Sequence, residues 1–202
     1  MKPETPRIAG LLLAAGPSSR LGQAKQLVKV GEESLVRRAT RLLLAQQPAS
    51  VTVVVGCEAA AISREIQDLP VTIINNPEWA RGMGASISCG VRKIPDSFDG
   101  ILLMACDQWC LEEADLAQLI AAWSSDISTI SVASWKEGKA VVSGPPVIFP
   151  RSLKQDLISV NKGRGARQLI DRNIDLVHYA EMENAACDLD RPEDLEKLIN
   201  RP

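Results

Sequence analysis

Short, largely apolar runs recur in this chain at residues 8–13, 51–55, 71–74 and 101–104, with Thr52 and Thr72 the polar residues in them, and segments with apolar residues at helical spacing alternate with them. A strand buried on both faces reads as a continuous apolar run, and such strands need helices above and below them. The runs are therefore expected to be parallel strands. Residues 34–45, 59–69, 85–93 and 111–123 are the covering helices, the last with acidic residues in its first turn. After residues 127–133 the rhythm changes. Residues 139–142 and 146–149 read as hairpin strands interrupted by Gly144-Pro145-Pro146, and the prolines place that segment at an edge or in a surface loop. Residues 153–158 and 167–171 read as helices, 176–179 as a short strand, and 192–199 as a closing helix with Pro192 at its start. The 202 residues suit one domain over residues 1–202. The expected class is α/β: a Rossmann-like, three-layer α/β/α domain, its sheet mostly parallel with a small antiparallel insertion.

Charge and composition exclude several functions. With 23 basic and 25 acidic residues the net charge is −2, so no basic footprint for nucleic acid is present. Aromatic residues make up 3%, too few for a base-stacking platform. The five cysteines (Cys57, Cys89, Cys106, Cys110, Cys187) lack metal-finger spacing, and His178 is the single histidine, so a zinc site is not expected. Free thiols in a reducing cytoplasm are the economical expectation. Residues 1–6 are polar and proline-containing, and the apolar run at 8–15 is too short to span a bilayer. It also lacks a signal-peptide layout, since a glycine-rich turn and basic residues follow it directly, so no membrane association is expected.

The chemistry concentrates in Leu11–Gln26, LLLAAGPSSRLGQAKQ. A buried strand runs into Ala14-Ala15-Gly16 and then a loop carrying Ser18, Ser19, Arg20, Gly22 and Lys25. Small residues let backbone N–H groups approach phosphate oxygens, and the two cations offset the charge of a triphosphate. The pattern is neither a Walker loop, because Gln23 stands where lysine is required, nor a G-x-G dinucleotide fingerprint. The competing interpretation is an ordinary strand-to-helix loop with solvated charges. Asp107 follows the buried run 100–106 at the end of the sheet where ligands gather, and suits a Mg²⁺ bridging triphosphate oxygens; otherwise it caps the helix beginning near Leu111. In Asn76-Pro-Glu-Trp79-Ala-Arg-Gly82-Met-Gly84-Ala-Ser86 the glycines permit close approach to a planar ligand, with Ser86 expected to begin a helix. Alone, such a segment is more often a turn. Asp188 and Asp190 precede the last helix, where Asp190 either caps it or supplies a second metal ligand.

LAAGPSSRLGQAKQLV, followed in order by NPEWARGMGASI, LLMACDQ, GPPVIF, GRGAR and DLDRPEDL, resembles the MobA-like nucleotidyltransferase family over about residues 8–199, and within it the molybdenum cofactor cytidylyltransferases. The resemblance implies a nucleotidyltransferase fold and the transfer of CMP from CTP to the terminal phosphate of a molybdopterin-type acceptor, with release of pyrophosphate. It implies that Leu13, Ala14, Ala15, Gly16 and Ser18 line the nucleotide, that Arg20 and Lys25 bind its phosphates, and that Asp107 holds Mg²⁺. Gly82, Met83, Gly84 and Ser86 would contact base or ribose. Ala15 fits cytidine-using relatives, whereas guanosine-using ones tend to carry a glycine there. Three positions depart from the family: Trp109 in place of a proline, Pro145 in place of a histidine or arginine, and Gly163 in place of an acid, the last two in the region expected to face the acceptor. An ionised phosphate is already nucleophilic, so neither His178 nor a cysteine is needed, and Cys106 reads as packing. Alternatives are transfer to a sugar phosphate or alcohol phosphate, and a non-catalytic carrier of the cofactor for a client molybdoenzyme.

Overall fold

The computed structural model describes residues 6–160 and 165–199. Residues 1–5 and Gly163 lie outside the described residues. In chain order the elements are β1 (Ile8–Ala14), β2 (Lys29–Val30), β3 (Glu33–Ser34), α1 (Leu35–Ala45), β4 (Ser50–Val55), α2 (Ala59–Arg64), β5 (Thr72–Asn75), α3 (Met83–Val91) and β6 (Gly100–Ala105). There follow α4 (Glu113–Ser124), β7 (Ile130–Glu137), β8 (Ala140–Pro150), α5 (Lys154–Ile158), α6 (Arg167–Arg172), β9 (Val177–Glu181) and α7 (Pro192–Ile199). Seven strands form one sheet in the order β5-β4-β1-β6-β8-β7-β9, and β2 and β3 make a separate two-stranded antiparallel ladder. Within the large sheet only β8 runs antiparallel to its neighbours.

Side-chain alternation along β1 builds both cores. Ile8, Leu12 and Ala14 pack under α1, α2 and α4 with Val36, Leu43, Ile62, Leu119 and Trp123, while Ala9 and Leu11 face α3, α5 and α6 with Ile87, Val91, Leu157 and Ile170. Helices therefore cover both faces, which explains why the strands lack polar alternation. Among the described residues no helix is long and apolar enough to cross a membrane.

From β1 the chain steps outward through α1 to β4 and through α2 to β5, then returns over the opposite face through α3 to β6, on the other side of β1. The direction of winding thus reverses between β1 and β6. That reversal opens a crevice at the carboxyl ends of these two strands.

The structure corrects four expectations. Residues 140–150 are one strand in the interior of the sheet, not an interrupted edge hairpin. The β7–β8 register shifts between Val132 and Ala133, so Val132 pairs with Val147 and Ala133 with Gly144. Pro145 and Pro146, joined by a cis peptide, fall in that bulge, where no ladder N–H is required. Helix α2 ends at Arg64 rather than near residue 69: the Arg37 guanidinium takes the Glu65 carbonyl at 2.7 Å, and Pro70 disfavours helix at Leu69. Helix α3 begins at Met83, capped by Gly82 at φ 99°, so Ser86 lies inside it rather than at its start. Helix α4 begins at Glu113, two residues later than the pattern implied, because Glu112 and Asp115 form a capping box.

Candidate active site

A cavity of about 230 Å³ opens at the carboxyl ends of β1 and β6, and its walls include Leu13, Ala15, Gly16, Lys25, Gln26, Trp79, Gly82, Met83, Ser86, Cys106 and Asp107. Lys25 and Asp107 meet there although they come from loops after different strands. The Lys25 ammonium donates to Asp107 and, at 2.8 Å, to Asp190 Oδ1. Arg20 stands at the rim, 73% exposed, with Nη1 3.5 Å from Asp190 Oδ2.

Asp190 reaches the site because its segment is strapped to the loop after β6. The Trp109 N–H donates to the Cys187 carbonyl, the Leu189 N–H donates to the Asp107 carbonyl at 3.1 Å, and Gln108 and Asp188 form an isolated antiparallel bridge. Trp109, one of the departures from the family, contributes an N–H that a proline would lack. Its indole fills a small core with Leu21, Leu35, Cys110 and Leu189. Gln108 completes the strap by donating to the Pro145 and Ala185 carbonyls.

The capping interpretations of both acids give way. Glu112, not Asp107, caps α4. At α7 the Asp194 carboxylate accepts from the N–H groups of Asp190 and Arg191, which leaves the Asp190 side chain turned toward Lys25 and Arg20.

Burial alone would lower the pKa of Lys25, but the adjacent Asp107 and Asp190 carboxylates outweigh it and hold the ammonium above the usual lysine range. Asp188 is pushed up to about 7, first by crowding from surrounding protein and then by the charges of Asp107 and Asp190. Its outer edge is open to water, so solvent moderates that repulsion. Burial and the neighbouring Asp107 push the Cys106 thiol far above its ordinary value, which makes it inert as a nucleophile.

Two cations thus face four acids, Asp107, Asp188, Asp190 and Asp194. A triphosphate entering this neighbourhood would meet net repulsion unless a further cation accompanied it. Asp107 and Asp190 are hard oxygen donors aimed at one point, now bridged by an ammonium, and such a pair suits Mg²⁺, which keeps its remaining positions for water and phosphate. Among the described residues no group of three or more His, Cys, Asp or Glu side chains is arranged around a common metal position. The donor set fits a cation shared with substrate, not a protein-enclosed one.

Other expected site residues fall into distinct places. Ala14 belongs to β1, is buried, and does not line the cavity. Ser18 sits at φ 52°, an unfavourable left-handed conformation for a side chain, and its Oγ accepts the Lys25 backbone N–H at 3.1 Å. Ser86 is buried at the cavity wall, and its Oγ accepts from the Asn76 amide at 3.1 Å. Gly84 is buried in α3 and is not among the wall residues, whereas Met83 is exposed beside the cavity.

Two residues, Gln26 and Gly56, escaped the sequence reading, and a third, Trp79, was given no role there. Gln26 forms part of the wall, yet nothing in the spacing distinguishes it from its neighbours. Trp79 stands in the segment 76–86 that the sequence singles out, but only its glycines, Met83 and Ser86 were expected at the ligand, whereas the structure puts Trp79 in the cavity wall as well. Gly56 is the reason Trp79 sits where it does, since a Cβ there would lie 2.6 Å from the Trp79 Cβ.

Both the sequence and the fold are similar to known proteins. The model of the MobA-like NTP transferase domain matches residues 10–177. Nicotine blue oxidoreductase of Paenarthrobacter nicotinovorans is 27% identical, over 97% of this chain and 98% of its own length. The fold resembles that of Rv0371c from Mycobacterium tuberculosis H37Rv, with a TM-score of 0.82 at 22% identity over 98% of this chain and 99% of that one. A complex of Rv0371c with manganese gives a TM-score of 0.77 at 21% identity, covering 98% and 100% of the two chains.

Proposed function

The chain belongs to the MobA-like NTP transferase family, and from that premise we infer that this nucleotidyltransferase moves CMP from CTP to the terminal phosphate of a molybdopterin-type cofactor. The observation that carries the reading is the meeting of Lys25, Asp107 and Asp190 beside the small-residue turn at the switch point of the sheet. In this reaction an oxygen of the acceptor phosphate bonds to the α-phosphorus of CTP, and the bond from that phosphorus to the pyrophosphate oxygen breaks. No proton need be abstracted, so positioning and charge carry the rate. Lys25 and Arg20 lie where they can neutralise charge as it shifts onto pyrophosphate. Asp107 and Asp190 would hold a divalent cation, which when bound supplies charge neutralisation along the triphosphate. Lys25 would then release the carboxylates and turn its ammonium toward phosphate. That a protein of this fold has been solved with manganese supports a divalent cation here, and we favour Mg²⁺. Ala15 at the cavity wall, where guanosine-using relatives tend to carry glycine, supports the cytidine nucleotide.

The Cys106 thiol at the cavity wall is buried and held protonated, and direct transfer needs no covalent intermediate on a side chain. The five cysteines form no disulfide, which suits a cytoplasmic setting.

The test is pyrophosphate release with CTP, GTP, ATP and UTP against molybdopterin and against sugar phosphates. CTP with molybdopterin is expected to give the fastest release, and Asp107→Asn is expected to abolish the response to divalent cation while keeping the wild-type fold by circular dichroism. Faster release with a sugar phosphate would replace the acceptor. The name of the full-length relative raises a second reading, redox chemistry. Conversion of nicotine blue without pyrophosphate release from any triphosphate would favour it.

A further inference from the structure

One buried polar side chain at the cavity has no part in the mechanism above. Gln26 is 1% exposed and follows Lys25 directly. Its amide nitrogen donates to the carbonyls of Gly16 at 2.8 Å and Ala14 at 3.2 Å, and its Oε1 accepts from Ser18 Oγ at 3.3 Å. The carbonyl lying between those two, on Ala15, accepts from the Cys57 N–H at 3.1 Å. Every carbonyl oxygen of Ala14-Ala15-Gly16 is therefore held by a protein donor, two of them by one amide.

That arrangement has an electrostatic consequence. A peptide plane fixes its C=O and the following N–H in opposite directions; after Gly16 the next residue is Pro17, which has no N–H, so there the gain is only that the carbonyl is turned inward. A turn that is to cradle a polyanion must point its oxygens into the protein, because a carbonyl facing phosphate repels it. Ser18 adds a second link: the Oγ that donates to Gln26 also accepts the Lys25 N–H, so the turn and the start of the lysine side chain share one network. The left-handed backbone of Ser18, unfavourable for a residue with a side chain, is stabilised by the same bonds.

We propose that Gln26 is the positioning residue that makes the turn at residues 14–19 an anion site, by turning the Ala14 and Gly16 carbonyls away from the ligand and, through Ser18, fixing the backbone from which Lys25 reaches Asp107. This rests on the nucleotidyltransferase reading of the cavity. Gln26 touches neither Asp107 nor Asp190, and it acts through the turn rather than on the reacting atoms.

The experiment uses the purified full chain with magnesium tripolyphosphate as probe, in wild type, Gln26→Leu and Gln26→Glu, by calorimetric titration, alongside pyrophosphate-release kinetics. Both variants are expected to bind tripolyphosphate at least about tenfold more weakly, with the KM for the triphosphate raised by a similar factor and the KM for the acceptor unchanged. Gln26→Glu carries a readout that loss of packing would not move. As an anion it repels the two carbonyls, but once protonated it regains one donor. Its deficit relative to wild type at the same pH should therefore shrink between pH 8 and pH 5, whereas that of Gln26→Leu should not. If Gln26→Leu does not fold, the pH series on Gln26→Glu decides. Variants that bind tripolyphosphate as wild type does, a KM raised equally for both substrates, or a pH-independent deficit in Gln26→Glu would each overturn the assignment of Gln26. A wild-type chain that binds no tripolyphosphate and releases no pyrophosphate would instead overturn the nucleotidyltransferase reading, and this inference with it.

Discussion

Replacing Lys25 with methionine removes the ammonium while keeping most of the stem, and the structure assigns opposite signs to its effects on stability, cation affinity and turnover. At 2.8 Å and an effective dielectric constant of about 20, the attraction between Lys25 and Asp190 amounts to about 6 kcal/mol before screening. Asp190 is 45% exposed, so water reduces that contact to about 1 kcal/mol. Lys25 and Asp107 are 17% and 15% exposed, and their pair retains more, on the order of 2 kcal/mol. Without the ammonium, Asp107 and Asp190 repel each other and Asp188, and relief of the cost of burying Lys25 offsets only part of that. Lys25→Met should therefore lose about 2–3 kcal/mol in chelator-treated buffer, which lowers Tm by roughly 5–10 °C for a chain of this size. Added Mg²⁺ should restore much of that loss, because the cation no longer competes with the ammonium for two carboxylates, and calorimetry should show about tenfold tighter Mg²⁺ binding than in wild type. Turnover should nonetheless fall by at least about 10²-fold, since charge stabilisation of the triphosphate is lost. The three readouts are differential scanning calorimetry with and without Mg²⁺, cation titration, and pyrophosphate release. A variant that melts with wild type in chelator and also keeps wild-type turnover would refute both the ion-pair energetics and the phosphate role.

Arg20→Ala should reduce turnover about 10²-fold with little change in Tm, because the exposed guanidinium contributes little to folding; thermal melts and initial rates measure the two separately. Gly56→Ala should cost about 1–3 kcal/mol in denaturant titrations and weaken nucleotide binding, because its Cβ would lie 2.6 Å from the Trp79 Cβ and displace the indole from the cavity wall. Asp188 should make metal-free protein less stable as pH rises. Its folded pKa of about 7 lies above the ordinary carboxylate value near 4, so the folded state binds the extra proton and stability falls between those two limits. Melts of wild type and Asp188→Asn from pH 4 to pH 8 in chelator should diverge in that window, with the variant losing less; parallel curves would remove the cause assigned here.

The sheet and its helices were legible in the sequence because burial on two faces leaves a continuous apolar run. The strand at residues 100–105 and the helix at 192–199 fall where the pattern placed them. The small-residue turn and its two cations were equally legible because they lie close together in the chain, and the structure brings Lys25 to the cavity and Arg20 beside Asp190. The interior strand at residues 140–150 was not, because two prolines argue locally for an edge, and only pairing with strands on both sides shows the bulge that absorbs them. The turn from Asp190 to Lys25 was likewise hidden. It depends on Asp194 capping the last helix in its place and on a strap across residues 107–109 from a segment far along the chain. Gln26 shows the same divide most sharply. Its chemistry comes from two carbonyls and a hydroxyl brought around it by the fold, and its position beside Lys25 in the sequence carries none of that information. Local sequence determined which backbone could form, because propensity and periodicity act over a few residues. Only the tertiary structure decided which charges and hydrogen bonds meet, because those depend on distances that the linear order does not contain.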